Sequence, residues 1–216
     1  MSGFLDYLNY NRSDLLQVGL QHLQIVAISI VLGTVLGLAL GVAAYRRPRL
    51  RNPILGTEGL ILTVPSLALY ALLVVPLGFG SVPVVVALTL YSLLPITRNT
   101  VTGLLSVDPA IVESGLGMGM TRQQRLFRIE LPLAWPVIIV GIRVATVIVV
   151  GIAALGVIVN GPGFGVLIFD GLRRIGSPSA VYAALAGTLG VVVLGVALDA
   201  LFIVIARYTT PRGIRD

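Results

Sequence analysis

Residues 112 to 136, VESGLGMGMTRQQRLFRIELPLAWP, interrupt long apolar runs with a polar, arginine-bearing stretch. The side chains with the means to make specific contacts gather there. Glu113 and Ser114 offer polar groups, Arg122, Arg125 and Arg128 form a basic ridge at helical spacing, and Leu126, Phe127, Ile129 and Leu131 supply apolar contacts. Asp108 can cap exposed N–H groups and Pro109 suits a first helical position, so a short helix is predicted through Ser114. Gly115, Gly117 and Gly119 then make helix continuation costly and permit a sharp turn. Thr121 and Gln124 have the spacing of a capping box for a second helix, and Pro132 then starts the next apolar run. The chemistry is recognition rather than catalysis. Two readings fit equally: two short helices that plug a groove on a partner, or a solvated loop whose arginines enforce topology.

Other chemistry is excluded by what the chain lacks. All fifteen basic residues are arginine, so a phosphate-binding loop with its lysine is impossible and any ATP must be bound by another subunit. With no cysteine and one histidine, His22, disulfides, thiolate zinc sites and thiol catalysis are absent, and no metal or cofactor is expected. No His, Cys or clustered-acid constellation supports a membrane enzyme. The basic pI of about 10.3 reflects arginines beside membrane spans rather than nucleic-acid binding.

The elements that must carry the insert are membrane helices. The chain is 56% hydrophobic and 11% charged, far from the balance of a soluble domain. A span needs about 20 mostly apolar residues. Five segments qualify, at 19–45, 54–77, 82–105, 132–159 and 181–207, in a single transmembrane domain covering 1–216, with the insert at 106–131. The predicted class is therefore all-α and integral to the membrane. The first run lacks the basic start of a cleaved signal and is expected to stay. Arg46, Arg47, Arg49, Arg51, Arg98, Arg122, Arg125, Arg128, Arg207, Arg212 and Arg215 fall on one side, against Arg12, Arg173 and Arg174 on the other. This asymmetry predicts an external N-terminus, a cytoplasmic C-terminus and a cytoplasmic insert. Residues 4–10 have the pattern of a short interfacial helix or a plain tail. Gly33, Gly37 and Gly41 make a flat strip for close helix approach, repeated by Ala183 and Gly187, and Pro65 and Pro95 should bend their spans.

Within the spans, Arg143 and Asp199 lie at similar depth, and an isolated charge there costs roughly 2.5 to 3.5 kcal/mol, so mutual compensation is expected. A structural pair and a substrate contact remain the two readings. Asp199 is almost the only acid available to couple an ion, which leaves a self-sufficient channel or ion-driven carrier poorly supported. Tyr70 and Tyr91 are the aromatic candidates for a substrate pathway through cation–π attraction, with packing as the alternative. In the outer loop, Phe164 could gate the mouth, although Gly161, Gly163 and Gly165 suit a loose connector. His22 is expected to be structural.

The spacing within the insert resembles a family signature. Glu113, Gly119, Ile129, Leu131 and Pro132 match the "EAA" loop of permease subunits in binding-protein-dependent ABC importers, which reads Glu-Ala-Ala, three residues, Gly, nine residues, Ile, one residue, Leu-Pro. Ser114 and Gly115 stand where two alanines are usual, and Gly115 is expected to loosen the first helix. The stretches TVPSLALYALL, LYSLLPITRNTVTGLLSVDPA and RYTTPRG extend the resemblance to permeases for glycine betaine, choline and carnitine. It implies the type I importer permease fold, with 106–131 as the coupling helix seated on a dimeric ATP-binding cassette subunit. It also implies a second permease chain, the same or related, and an extracytoplasmic substrate-binding protein. Relatives on this scaffold import other small zwitterions and amino-acid derivatives.

Overall fold

The computed structural model describes residues 2–210, so Arg212 and Arg215 of the basic tail lie outside the described residues. Among those described, ten α-helices and two short helical turns of other pitch carry the chain. After α1 (Ser2–Tyr10) comes α2 (Arg12–Ala44), whose 33 residues start well before the apolar run does. Nothing in residues 12–18 breaks a helix, so the helix outlasts its hydrophobic stretch.

The second apolar segment is not one helix. It divides into α3 (Pro48–Thr63) and α4 (Ser66–Leu77), set at 101° to each other, and only together do they qualify as a span. Pro65 was expected to bend this span, and instead it ends one helix and starts another. A residue before proline is pushed out of the α region, and Val64 adopts φ −65°, ψ 128°. The break is tolerable because the freed Val64 carbonyl accepts a 2.7 Å hydrogen bond from the Tyr91 hydroxyl. Pro95, by contrast, stays within α5 (Ser81–Leu105) without ending it.

The insert follows as α6 (Pro109–Gly117) and α7 (Arg122–Arg125), and α8 (Leu131–Ala153) continues directly from α7 through a π-helical turn at Leu126–Glu130. Pro132 has no N–H to give the Arg128 carbonyl, and its ring crowds that oxygen. The wider turn relieves the conflict, with the Leu131 N–H reaching back five residues to the Leu126 carbonyl. The second insert helix and the fourth span are thus one rod from Arg122 to Val159, closed by a 3₁₀ turn at Ala154–Val159. Then come α9 (Gly165–Arg173) and α10 (Pro178–Thr209).

The core is a three-helix sandwich with α5 between α2 and α8. A Cβ on Gly37 would lie 2.8 Å from Ile96 Cγ2, one on Gly41 2.5 Å from Thr100 Cβ, and one on Gly33 would collide with Ser92 Oγ. On the other face, a Cβ on Gly141 would lie 2.7 Å from the Pro95 carbonyl oxygen and one on Gly103 2.9 Å from that of Ala134. α10 sits outside this sandwich, against α8 and α9, and leaves Leu189, Val193 and Val196 exposed.

The glycine-rich stretch before α9 is a packed plug, not a loose connector. Phe164 is 9% exposed and stacks at 5.5 Å on His22, with Gly19 and Gly190 leaving just enough room for its ring. His22 is fully buried and ties two elements together: Nδ1 accepts from the Phe164 N–H at 3.2 Å, and Nε2 lies 3.1 Å from the Val150 carbonyl. Both ring nitrogens are satisfied only by the neutral tautomer that carries its proton on Nε2.

Candidate functional site: an exposed two-helix insert

The insert is held in shape by local hydrogen bonds that its sequence encodes. Asp108 Oδ1 accepts from the Ala110 N–H at 2.8 Å to open α6. Thr121 and Gln124 exchange side-chain to backbone bonds of 3.3 and 2.8 Å, a complete capping box. Between them, Gly119 N–H bonds the Leu116 carbonyl and Met120 N–H reaches the Gly115 carbonyl, the paired bonds of a Schellman helix stop. Gly119 occupies the left-handed position of that stop at φ 77°. Its backbone conformation, not a lack of space, is what demands glycine, since nothing lies within 4 Å of where a Cβ would be.

Gly115 has the opposite reason for being small. It is buried, and a Cβ there would lie 2.8 Å from Ile129 Cδ1. Rather than loosening α6, which runs on to Gly117, Gly115 lets the helix lie directly on the π-helical turn. Glu113 and Ser114 face outward, as do Arg122 and Arg128. Arg125 leaves the basic ridge and folds its methylenes over Gly115, with Cγ and Cδ each 3.5 Å from where a Cβ would stand. Leu126, Ile129, Leu131 and Pro132 are half-buried, while Leu116, Met118 and Phe127 are 60%, 73% and 66% exposed. The insert therefore exposes three large apolar side chains, Leu116, Met118 and Phe127, together with Arg122 and Arg128.

Two buried acids escaped the sequence reading. Glu130 is 1% exposed at the root of the insert, where it accepts a 2.8 Å hydrogen bond from the Tyr45 hydroxyl and a 3.2 Å charge-assisted bond from Arg46. This clamp fastens the π-helical turn to the end of α2. A carboxylate between Ile129 and Leu131 at the entrance to an apolar run was the available signal. Glu58 in α3 is 4% exposed and accepts from the Thr97 hydroxyl at 2.8 Å, so Asp199 is not alone among acids in the apolar segments.

The candidates inside the spans divide. Arg143 and Asp199 meet in a bidentate pair, Nε to Oδ1 at 2.9 Å and Nη2 to Oδ2 at 3.0 Å. Among the described residues, Tyr70, Tyr91 and Phe164 do not line a common opening. The Tyr70 hydroxyl donates to the Ile152 carbonyl at 3.1 Å, Tyr91 is committed to Val64, and Phe164 lies under His22. The two tyrosine hydroxyls are spent on backbone carbonyls near breaks in the helices, and the Phe164 ring on packing against His22.

Residues 33–210 match the family described as "binding-protein-dependent transport system inner membrane component". The chain belongs to this family. It is an inner-membrane, multi-pass permease, a transporter rather than an enzyme. The permease is 40% identical to the osmoprotectant import permease protein OsmW of Salmonella typhimurium, over 98% of this chain and 99% of that one. It is 37% identical to the glycine betaine/carnitine/choline permease OpuCB of Bacillus subtilis, over 100% and 97% of the two chains. The Listeria monocytogenes carnitine permease OpuCD is also 37% identical, over 96% and 92%. The permease fold matches a chain of the inward-facing MetNI methionine ABC transporter with TM-score 0.79 at 21% identity, covering 91% of this chain and 96% of that one. The architecture is that of a type I importer permease.

Proposed function

We propose that the permease is the transmembrane subunit of an ATP-driven importer for a compact osmoprotectant with a quaternary ammonium, of the glycine betaine, choline or carnitine kind. Relatives named for these substrates and aligned over nearly the whole chain support the cargo. The observation that carries the mechanism is the exposed apolar tip of the insert, Leu116, Met118 and Phe127, which lies inside the EAA-type stretch from Glu113 to Pro132. That tip docks on a dimeric ATP-binding cassette subunit, which supplies the nucleotide site this lysine-free chain lacks. The arginine-rich side is cytoplasmic and the N-terminus external.

Each part of the insert then has a task. Leu116, Met118 and Phe127 fill the partner's groove, and Arg122 and Arg128 orient the approach. Closure of the ATP-binding subunits displaces α6, whose close contact at Gly115 and Ile129 pushes on the π-helical turn. Because α7, that turn and α8 form one rod, the push arrives in the fourth span, and the Glu130 clamp carries it to α2. Substrate released by an extracytoplasmic binding protein passes between this chain and a second permease chain.

The reading is tested by purifying the chain with its co-expressed neighbours and reconstituting the complex. A stoichiometric ATP-binding subunit, with hydrolysis stimulated by betaine, choline or carnitine and not by neutral amino acids, is the expected result. Uptake by this chain alone, without nucleotide, contradicts it.

A further inference from the structure

The acids within and beside the apolar segments are enclosed unequally. Glu130 and Glu58 are enclosed to 1% and 4% exposure, each with a hydroxyl donor. Arg143 and Asp199 instead keep 31% and 34% of their side-chain surfaces open. Counted at 1.5 Å per residue they lie about 15 to 18 Å from the arginine-rich ends of α8 and α10, inside the apolar stretch. Charge at such depth is not left facing lipid. It faces protein or a water-filled passage.

A groove adjoins the pair on either side. One, of about 380 Å³, runs between α8 and α10 past Val150, Gly151, Val191 and Gly195 to Asp199. The other, of about 370 Å³, passes Val140, Val144 and Ile148 and reaches both Arg143 and Asp199. Val147 borders both. Apart from the pair itself these walls are valine, isoleucine and glycine, with no aromatic face among them. The space is adequate for a small molecule, and its one polar feature is a guanidinium beside a carboxylate.

We propose that Arg143 and Asp199 form a transient binding site for a zwitterion, in which the substrate exchanges with the ion pair. This rests on the importer reading above and names where in the permease its cargo is recognised. The substrate carboxylate takes the place of the Asp199 carboxylate on the guanidinium fork, using the same two parallel N–H donors. The substrate ammonium then faces the released Asp199. Every charge keeps a counter-charge throughout, so the exchange strands no bare ion in a low-dielectric region. A permanent ammonium has no N–H to donate and meets no aromatic cage here, so the site holds cargo weakly. Weak holding is what a passage needs. A simple cation leaves Arg143 without a partner, so zwitterions pass more readily than cations of the same size.

The test uses the whole complex with its binding protein in proteoliposomes, and begins with glycine betaine uptake by the wild type. Absence of uptake removes the importer reading itself. Given uptake, the swapped variant Arg143→Asp/Asp199→Arg preserves a pair and inverts its direction. Expected are normal insertion and glycine betaine uptake reduced about tenfold or more. Uptake at the wild-type rate with the pair swapped means a brace only, and overturns the proposal. Should the swapped chain fail to insert, Val147→Cys in the otherwise cysteine-free wild type decides. A small water-soluble thiol reagent labels it, and saturating glycine betaine slows labelling several-fold. A thiol that the reagent does not reach, or that substrate does not protect, overturns the proposal equally.

Discussion

The interior where α2, α5 and α8 meet and the Gly119 turn of the insert both rely on glycine, for opposite reasons. In the interior, Gly33, Gly37 and Gly41 are ordinary helical residues whose missing Cβ lets backbones touch. In the insert, Gly119 has open space around it and an unusual backbone. The same contrast runs through the side chains. Ser29, Thr97 and Thr100 in the interior find partners inside the chain, whereas the tip presents Leu116, Met118 and Phe127 with none. Interior residues are committed to holding one shape, and those at the tip, on the function proposed above, await another protein. Substitutions in the first region should therefore act on the amount of folded protein, and those in the second on assembly and turnover.

The largest loss of folded protein is expected from Gly37→Leu. The new side chain must displace Ile96 from the centre of the sandwich, and α2 and α5 part. Overpacking of this kind costs about 1 to 3 kcal/mol even where neighbours can give, and here the nearest atoms sit on a buried helix. Membrane abundance and thermal stability in detergent should both fall sharply. Abundance equal to the wild type would mean the glycine strip does not set the helix approach.

Glu130→Ala probes the seam between the two regions. It leaves the Tyr45 hydroxyl without an acceptor and Arg46 without its partner, a loss of about 1 to 3 kcal/mol. Glu130→Gln keeps an acceptor for Tyr45 and should recover most of the stability. If the clamp transmits motion, Glu130→Gln still lowers substrate-stimulated ATP hydrolysis while leaving the basal rate alone. Full stimulation in Glu130→Gln would restrict the clamp to holding shape.

The smallest effect on the fold belongs to Gly119→Val. Forcing a β-branched residue to φ 77° costs about 1 to 2 kcal/mol, and that strain stays local because the site lies at an exposed turn. Insertion and thermal stability should change little compared with Gly37→Leu. A collapse in abundance would erase the distinction between interior and insert.

How far each region was legible follows from how local its causes are. The caps of the insert, Asp108 and the box of Thr121 and Gln124, depend on neighbours two or three residues away and were readable. The glycine strip and the matched depth of Arg143 and Asp199 were readable from helical period and rise. What escaped depends on contacts between distant segments. Pro65 was seen as a bend because the sequence does not reveal that Tyr91, 27 residues on from Val64, would satisfy the carbonyl at a full break. The stretch at 161–165 looked loose because its anchor, His22, lies 142 residues from Phe164. Glu130 and Glu58 were hidden in the same way, each buried by a partner from another helix. The continuity of the insert with α8 was missed because a proline next to a π-helical turn resembles a helix start.

On the function proposed above, the insert converts ATP hydrolysis in a partner into movement of the spans. The most direct measurement is ATP hydrolysis and uptake by the reconstituted complex carrying Gly119→Val, at matched membrane abundance. The account predicts that the ATP-binding subunit still associates, because Phe127, Leu116 and the outward arginines remain. Stimulation of hydrolysis by loaded binding protein is lost, and uptake with it. Wild-type uptake by a stably inserted Gly119→Val complex would contradict the account and reduce the insert to a charged loop.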